Sequence, residues 1–245
     1  NVSRFIQMNL EKVEYDGRDI DYNNLTKIDE WILNAEKALI EGVDARYEDY
    51  ELGEVARLIY NFTWNDFASW YLELTKVTFA TGTTNQKQNT CAILKQVLTT
   101  MIKLLHPFMP FVTEEIYHLI REKDDFIILA KMPEAEQCDE SLLKEFEFVQ
   151  EFVSVIRTIR NEKNIAQKNA LEVYYTQSKN ASIISKNASI ISKLCNLQTL
   201  SVCEQKVEKA IAKMVRTMEI FVPFADNINK EEEIKKIMDE IKYFE

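Results

Sequence analysis

The chain has 245 residues, of which 46% are hydrophobic and 29% charged, so it can bury a sizeable core in one large domain or two and is neither disordered nor a membrane protein by composition. Glycine and proline are scarce, with 4 of each, which excludes collagen-like and proline-rich chains and favours long helices. The net charge of −10 argues against a general polyanion-binding protein but leaves room for a local basic face that binds one RNA.

The sequence contains no motif for binding a nucleotide or a metal. Its 4 glycines never approach the spacing of a phosphate-binding loop. The cysteines contain no C-x-x-C pair and only two histidines could complete a site, so free thiols are favoured over zinc. These residues are Cys91, Cys138, Cys195, Cys203, His106 and His118. We therefore expect no metal and no cofactor in this chain.

The hydropathy pattern and the N-terminus bear on the cellular location of the chain. No run of about 18 apolar residues could span a bilayer, and the N-terminus has neither a signal-peptide core nor an initiator methionine. We therefore expect a cytoplasmic chain without membrane contact, which forms part of a longer protein.

The first third of the chain is predicted to be helical. Residues 1–10 have helical spacing, and polar turn residues follow as far as residue 24. Thr26 is a predicted N-cap and Asp29 completes a capping box, so a second helix begins there and reaches Val43. A third helix is predicted over residues 51–78. Because apolar residues surround it, we expect it to be the central helix of a bundle.

Three further helices complete the predicted bundle. A loop at residues 81–85 precedes a helix that ends before Pro107, and Pro110 can begin another over about residues 111–121. After a connection around Pro133, a last helix is predicted over about residues 141–164. Antiparallel helices joined by short loops predict an all-α bundle.

Beyond residue 166 the pattern changes to that of a small α/β unit. Residues 171–175 alternate and are aromatic, which predicts a strand, and residues 197–202 and 219–223 predict two more. Between them residues 178–184 are repeated as 185–191. Because seven residues make two helical turns, we expect one helix there. A charged helix from residue 230 has isoleucines at steps of three and four.

No group of residues predicts a catalytic centre. Nucleophilic catalysis needs a histidine beside a serine or cysteine, and His106 and His118 are better explained as core or capping residues. Adjacent Glu114 and Glu115 point in different directions on a helix, so they are explained as charge at a helix N-terminus.

The helix around residues 60–74 is unusually aromatic. Most of these rings are assigned to the core, but Asn65 and Asp66 need buried partners or a surface to serve. Bases of RNA loops stack on aromatic or aliphatic side chains. A few residues at the rim of this helix could therefore bind bases.

Two segments carry a family resemblance. Residues 64–76 read WNDFASWYLELTK and residues 105–116 read LHPFMPFVTEEI. In this order they resemble two signatures of the valyl-tRNA synthetase family, which belongs to the class I aminoacyl-tRNA synthetases. Isoleucyl and leucyl enzymes share the second signature, so the first one favours valine. Residues 1–5 and 29–33 are similar to further family segments, and the resemblance covers essentially the whole chain.

This resemblance implies the tRNA-binding region of an enzyme that attaches valine to tRNA(Val) with ATP in protein synthesis. It implies a mainly α chain: an anticodon-binding helical bundle (1–166), a small α/β subdomain (167–229) and the truncated start of a C-terminal coiled-coil arm (230–245). The family's catalytic motifs, His-Ile-Gly-His and Lys-Met-Ser-Lys-Ser, do not occur here. The chain should therefore bind tRNA(Val) as a monomer without aminoacylating it, while ATP and Mg serve the upstream catalytic domain, which lies with an editing domain.

The resemblance also implies site residues. Arg4 would contact the anticodon backbone or a base edge, Phe5 would stack on an anticodon base, and Leu72 would pack on one. From the residues alone, Arg4 is equally explained as a solvated charge and Phe5 as a core residue.

A basic patch of Arg157, Arg160 and Lys163 lies at three-residue steps on the last bundle helix. It predicts contact with the RNA backbone or, alternatively, a solvated helix face.

Two other functions remain open at this point. An isoleucyl-tRNA synthetase would have the same region but a zinc-binding tail with cysteine pairs. A helical protein-interaction scaffold would use the whole aromatic stripe as core and would prefer no tRNA.

Overall fold

The computed structural model describes residues 1–121, 125–207 and 209–223. It divides into two compact units, residues 1–143 and residues 144–245. Helices predominate, and the strands form one small mixed sheet in the second unit, which confirms the predicted fold class. Of the helices in the described ranges, none is both long and apolar enough to cross a membrane. The predicted arm at residues 230–245 lies outside the described residues.

Among the residues described for the first unit there are six complete α-helices, and a π-helical segment (Phe62–Tyr71) joins α3 to α4 without a break. The helices span Val2–Val13 (α1), Lys27–Glu48 (α2), Leu52–Asn61 (α3), Leu72–Thr81 (α4), Thr84–Leu105 (α5) and Pro110–Ile120 (α6). Helix α5 contacts each of the other five. The sequence-based choice of residues 51–78 as the central helix was therefore wrong, because α5 holds that position.

Capping residues fix where these helices begin. The Thr26 hydroxyl accepts from the backbone N–H of Asp29, and the Asp29 carboxylate accepts from the Thr26 N–H at 3.0 Å, which is the predicted capping box. Thr83 and Gln86 form the same arrangement before α5. Pro110 lies in the first turn of α6, where its missing N–H costs no hydrogen bond.

The π-helical segment is the part of the aromatic helix that periodicity alone did not predict. A π turn places one extra residue per hydrogen-bonded ring, so it shifts which side chains face inward. The Ser69 hydroxyl donates to the carbonyl oxygen of Trp64, five residues earlier, at 2.7 Å. Phe62, Phe67 and Tyr71 stack in sequence on the buried side, with neighbouring ring centroids 6.3 and 5.9 Å apart. The wider turn therefore keeps three rings in the core.

A buried hydrogen bond joins this segment to the start of α2. The Tyr71 hydroxyl donates to Oδ1 of Asp29 at 2.7 Å, while Oδ2 of the same carboxylate serves the cap of α2. Burial and the Asp29 charge raise the pKa of Tyr71 well above its ordinary value, so the hydroxyl keeps its proton. One carboxylate thus fixes both a helix start and a distant ring.

We predict that Tyr71→Phe lowers the free energy of unfolding by about 1.5–3 kcal/mol, because the buried Asp29 carboxylate loses a donor and gains nothing. Urea denaturation followed by circular dichroism measures this loss. The matched control is Tyr60→Phe, which removes the hydroxyl of an exposed ring and should change stability little. Equal stability of both variants would contradict the role given to the buried contact.

In its described residues, the second unit contains a long helix, a sheet and two short helices. Helix α7 (Glu140–Glu162) begins just before the boundary between the units. The strand order is β2-β1-β4-β3, in which β1 and β2 are parallel while β4 pairs antiparallel with both β1 and β3. The remaining bounds are Leu171–Thr176 (β1), Ala181–Lys186 (α8), Ala188–Cys195 (α9), Leu197–Cys203 (β2), Ala210–Val215 (β3) and Met218–Pro223 (β4).

Helix α7 is tied to the sheet of this unit. The Phe152 ring meets Tyr175 of β1 edge to face, with centroids 6.0 Å apart. Arg216, in the turn between β3 and β4, donates to Glu151 at 2.7 Å and to Glu147 at 3.1 Å. The sequence analysis grouped this helix with the bundle. The division into residues 1–166, 167–229 and 230–245 stays a prediction.

Two details of the second unit differ from the expectations. Strand β3 was missed; it pairs antiparallel with β4 across a short turn. The duplicated segment forms two short helices instead of one. Asn187 lies between them, and its side chain donates to the backbone carbonyl of Ile183 at 3.0 Å and to Glu145 at 3.1 Å. An asparagine that bonds to the backbone in this way competes with helix continuation.

Candidate RNA interface

The start of α1 presents a cation and an aromatic ring. Helix α1 packs against α5 and α6 through the fully buried Ile6, while Arg4 is exposed and Phe5 is half-buried. Arg4 has no ion-pair partner among the described residues. The Phe5 backbone is held on both sides, because its N–H donates to Asn1 and its carbonyl accepts from Asn9 at 2.8 Å. An aromatic ring can stack on an unpaired base, and a guanidinium can bind a phosphate.

Helix α6 exposes apolar residues near its start. It contacts α1, and its first turn exposes Phe111, which has 88% of its surface accessible, and Met109. Thr113 is buried in the same turn, and its hydroxyl lies 2.8 Å from Nδ1 of His106. His106 is therefore explained by this contact with α6, in keeping with the capping role expected of it.

Leu72 lies in the core of the first unit. Only 6% of its surface is accessible, at the point where the π-helical segment passes into α4. A side chain this deeply buried offers a base almost no contact area. The predicted contact between Leu72 and an anticodon base would need a local rearrangement of the helix, so Leu72 does not belong to the surface formed by Arg4 and Phe5.

Sequence reasoning named no rim residue on the aromatic helix, although one pair is evident in the structure. Tyr60 and Trp64 are 63% and 62% exposed, and their rings lie parallel within 4° with centroids 6.4 Å apart. Arg57 lies three residues before Tyr60, on the same exposed side of the helix. It forms an ion pair with Glu54. The four-residue spacing of the two rings indicates that they share one face of a helix. The same spacing also occurs on buried faces, so the sequence does not show that these rings are exposed.

The basic residues of α7 have different environments. Arg157 and Lys163 are half-buried, whereas Arg160 is 3% exposed. The Arg160 guanidinium donates to the carbonyl oxygens of Ala166 at 3.0 Å, Cys195 at 2.6 Å and Asn196 at 3.2 Å. Burial lowers the pKa of Arg160; the three acceptors serve its two terminal nitrogens, while the buried Nε has no partner among the described residues. The assignment of Arg160 to RNA backbone contact is thereby corrected, because its donors hold the second unit together.

We predict that Arg160→Met lowers the free energy of unfolding by about 2–5 kcal/mol, because three buried carbonyls lose their donor. Arg157→Met on the same helix is the matched control. Its charge is more accessible, so its effect should stay within about 1 kcal/mol. Guanidinium denaturation of both variants checks the difference. A loss from Arg157→Met as large as that from Arg160→Met would contradict the structural role of Arg160.

A polar groove runs along the outer face of α5. It has a volume of about 520 Å³ and lies between the segments at residues 15–20 and 131–136. Lys95, Lys103 and Lys131 line it, and Nζ of Lys95 lies 5.7 Å from the centre of the Tyr15 ring. The walls of this groove are far apart in the chain, so no sequence pattern predicted it.

A buried carboxylate lies beneath the groove. Glu36 of α2 is 3% exposed and accepts from Nε2 of Gln96, a groove-lining residue, at 2.9 Å. Its other oxygen, Oε1, has no partner among the described residues. Burial, as the largest effect, raises the pKa of Glu36, while hydrogen bonds from Thr100 and Gln96 oppose the rise.

We predict that Glu36→Gln stabilises the protein at neutral pH. Because the folded pKa is raised above the unfolded value, the carboxyl group contributes its full stability only below the unfolded pKa and loses it as pH rises through the folded pKa. The gain from Gln should therefore vanish below about pH 4. Thermal unfolding across pH measures it, with Glu48→Gln at an exposed position of α2 as control. An equal gain at all pH values would contradict this origin.

No metal or nucleophilic site brings the cysteines and histidines together within the described ranges. Cys91 and Cys195 are buried, which raises the pKa of their thiols to about 12 and about 11. Nε2 of His118 lies 2.8 Å from Glu114 on the same helix. The prediction that the chain carries no metal is not tested by these positions.

Comparisons with known proteins agree with one another. A family model described as the anticodon-binding domain of tRNA ligase matches residues 29–175. Similar proteins are valine–tRNA ligases, among them those of Listeria innocua and Thermotoga maritima, both 34% identical over 99% of this chain. That of Bacillus subtilis is 33% identical over 98%. The chain spans 28% of the length of each of these relatives. Arg4 and Phe5 precede the residues matched by the family model.

Proposed function

Because this chain belongs to the family of anticodon-binding domains of tRNA ligases, we propose that it is the tRNA-binding, anticodon-recognising region of a valine–tRNA ligase. The observation that carries the proposal is the similarity to valine–tRNA ligases along 99% of the chain. This similarity favours valine over the isoleucyl alternative. Membership of the family also disfavours a protein-interaction scaffold.

The enzymatic activity in this proposal belongs to the whole ligase. Such an enzyme attaches valine to tRNA(Val) with ATP and Mg, and the motifs for that chemistry do not occur in this sequence. The chain alone should therefore bind tRNA(Val) but not aminoacylate it. The proposal extends to a cytoplasmic, monomeric protein in which catalytic and editing domains act beside this region.

The start of α1 is the proposed anticodon contact. Bases in an RNA loop are unstacked and accessible, so a ring at the surface can replace a neighbouring base. Phe5 supplies this ring, and its backbone N–H and carbonyl are hydrogen-bonded within the first turns of α1. Arg4, one residue earlier and exposed, supplies donors for a phosphate or a base edge. Leu72 and Arg160 are left out of the proposed site because both are buried.

The net charge of the chain affects its affinity for RNA. With a net charge of −10, the chain repels RNA at long range, so close contacts must supply the affinity. Binding should therefore be weak and should show specificity mainly through the anticodon.

We predict that the 245-residue chain prefers a tRNA(Val) transcript over one with its middle and third anticodon bases changed. Phe5→Ala should remove this preference and weaken binding to the native transcript by about 5- to 150-fold, which is the effect of losing one stacked base. Phe5→Leu should lose the stacking while keeping most of the apolar packing of a half-buried position. Fluorescence anisotropy at low salt measures each affinity.

Tyr22→Ala, which removes an exposed ring elsewhere in the first unit, serves as the control and should bind like the parent. Thermal unfolding of each variant separates a lost contact from a lost fold. Equal affinity of the parent for both transcripts would contradict anticodon recognition by this chain. A retained preference in Phe5→Leu would exclude Phe5 as the stacking residue.

A further inference from the structure

The duplicated segment forms one surface of the second unit. Its repeat of seven residues places a lysine before α8, at the end of α8 and in α9. Helices α8 and α9 bury Ala181, Ile184 and Ile191 against the unit, while these lysines are exposed. We call Lys179, Lys186 and Lys193 the lysine row.

The surroundings of the lysine row lack negative charge. Residues 173–203 contain these three lysines and no aspartate or glutamate, in a chain whose overall charge is −10. None of the three has a carboxylate partner among the described residues. By contrast, Lys76 and Lys213 each pair with a glutamate, at 2.6 and 3.0 Å. The lysine row is thus a local positive region in a chain whose net charge is negative.

Neutral donors accompany the lysine row. Ser182, Ser185 and Ser189 are exposed on the same two helices. Serine hydroxyls, like lysines, donate hydrogen bonds to phosphate oxygens, but they bind more weakly because they carry no charge. The buried side chain of Asn187, which is 2% exposed, anchors the junction of the helices to α7 through Glu145. The lysines therefore project from a fixed platform.

We propose that the lysine row binds the sugar–phosphate backbone of the tRNA, at a site separate from the anticodon contacts of α1. This inference rests on the proposed function, which supplies the polyanion. A row of lysines with hydroxyls and without exposed aromatic rings fits phosphates better than bases, because point charges and hydroxyls carry no base selectivity. The lysine row positions the RNA, and the anticodon contacts select it.

The test compares two triple variants of the 245-residue chain. One is Lys179→Gln with Lys186→Gln and Lys193→Gln. The other removes the same charge at three exposed lysines that have acidic residues within three positions in the sequence, namely Lys27, Lys206 and Lys209. The affinity for tRNA(Val) and for the anticodon-changed transcript is measured from about 20 to 200 mM salt, in the range where backbone contacts dominate.

For the lysine-row variant we expect the slope of log K against log salt to flatten by roughly 2–3 units, at about 0.7–0.9 per lost phosphate contact. The ratio of affinities for the two transcripts should stay unchanged, because the anticodon contacts are intact. The control triple should keep the parental slope to within about one unit.

Equal slopes for the two triple variants would overturn the proposal and leave the lysine row as a solvated face. A change in the transcript ratio caused by the lysine-row variant would overturn its separation from the anticodon site. If the parent does not distinguish the transcripts but the slope still flattens, the proposed function fails while the phosphate contact stands. No binding at about 20 mM salt would overturn both.

Discussion

The buried hydrogen bond from Tyr71 to Asp29 connects parts of the chain that are 42 residues apart. The same carboxylate caps α2 through Thr26, so the start of that helix and the end of the π-helical segment cannot move independently. A carboxylate removed from water is tolerated only when donors surround it, and three donors do so here. The positions of α2 and the aromatic segment therefore depend on a single side chain.

The aromatic helix has both buried and exposed residues. Tyr71 and the adjacent Leu72 are both buried, whereas Tyr60 and Trp64 are exposed. The helix that carries the family's most specific signature thus serves mainly as scaffold. The start of α1, where we propose the contact with RNA, packs on α5, which the aromatic helix also contacts.

Local chemistry made much of the fold predictable, and long-range partners accounted for part of what was missed. The capping box of Thr26 and Asp29 and the proline start of α6 were evident because each depends on residues a few positions apart. The groove above Glu36 was missed because its walls come from distant segments, and the π turn and strand β3 were missed although each is formed by residues close in the sequence. Of the site residues, exposure of Arg4 agrees with its proposed role. Burial of Arg160 could not be predicted, because its three acceptors lie in loops and helix ends that the sequence pattern does not bring together.

Contact between α1 and the anticodon loop is tested most directly by photo-cross-linking from the position of Phe5. With Phe5→p-benzoylphenylalanine, irradiation of the complex with tRNA(Val) should attach the chain to a nucleotide of the anticodon loop. The same substitution at Tyr22 should give no such product. A cross-link from the Phe5 position to the acceptor stem, or equal attachment from both positions, would contradict the account.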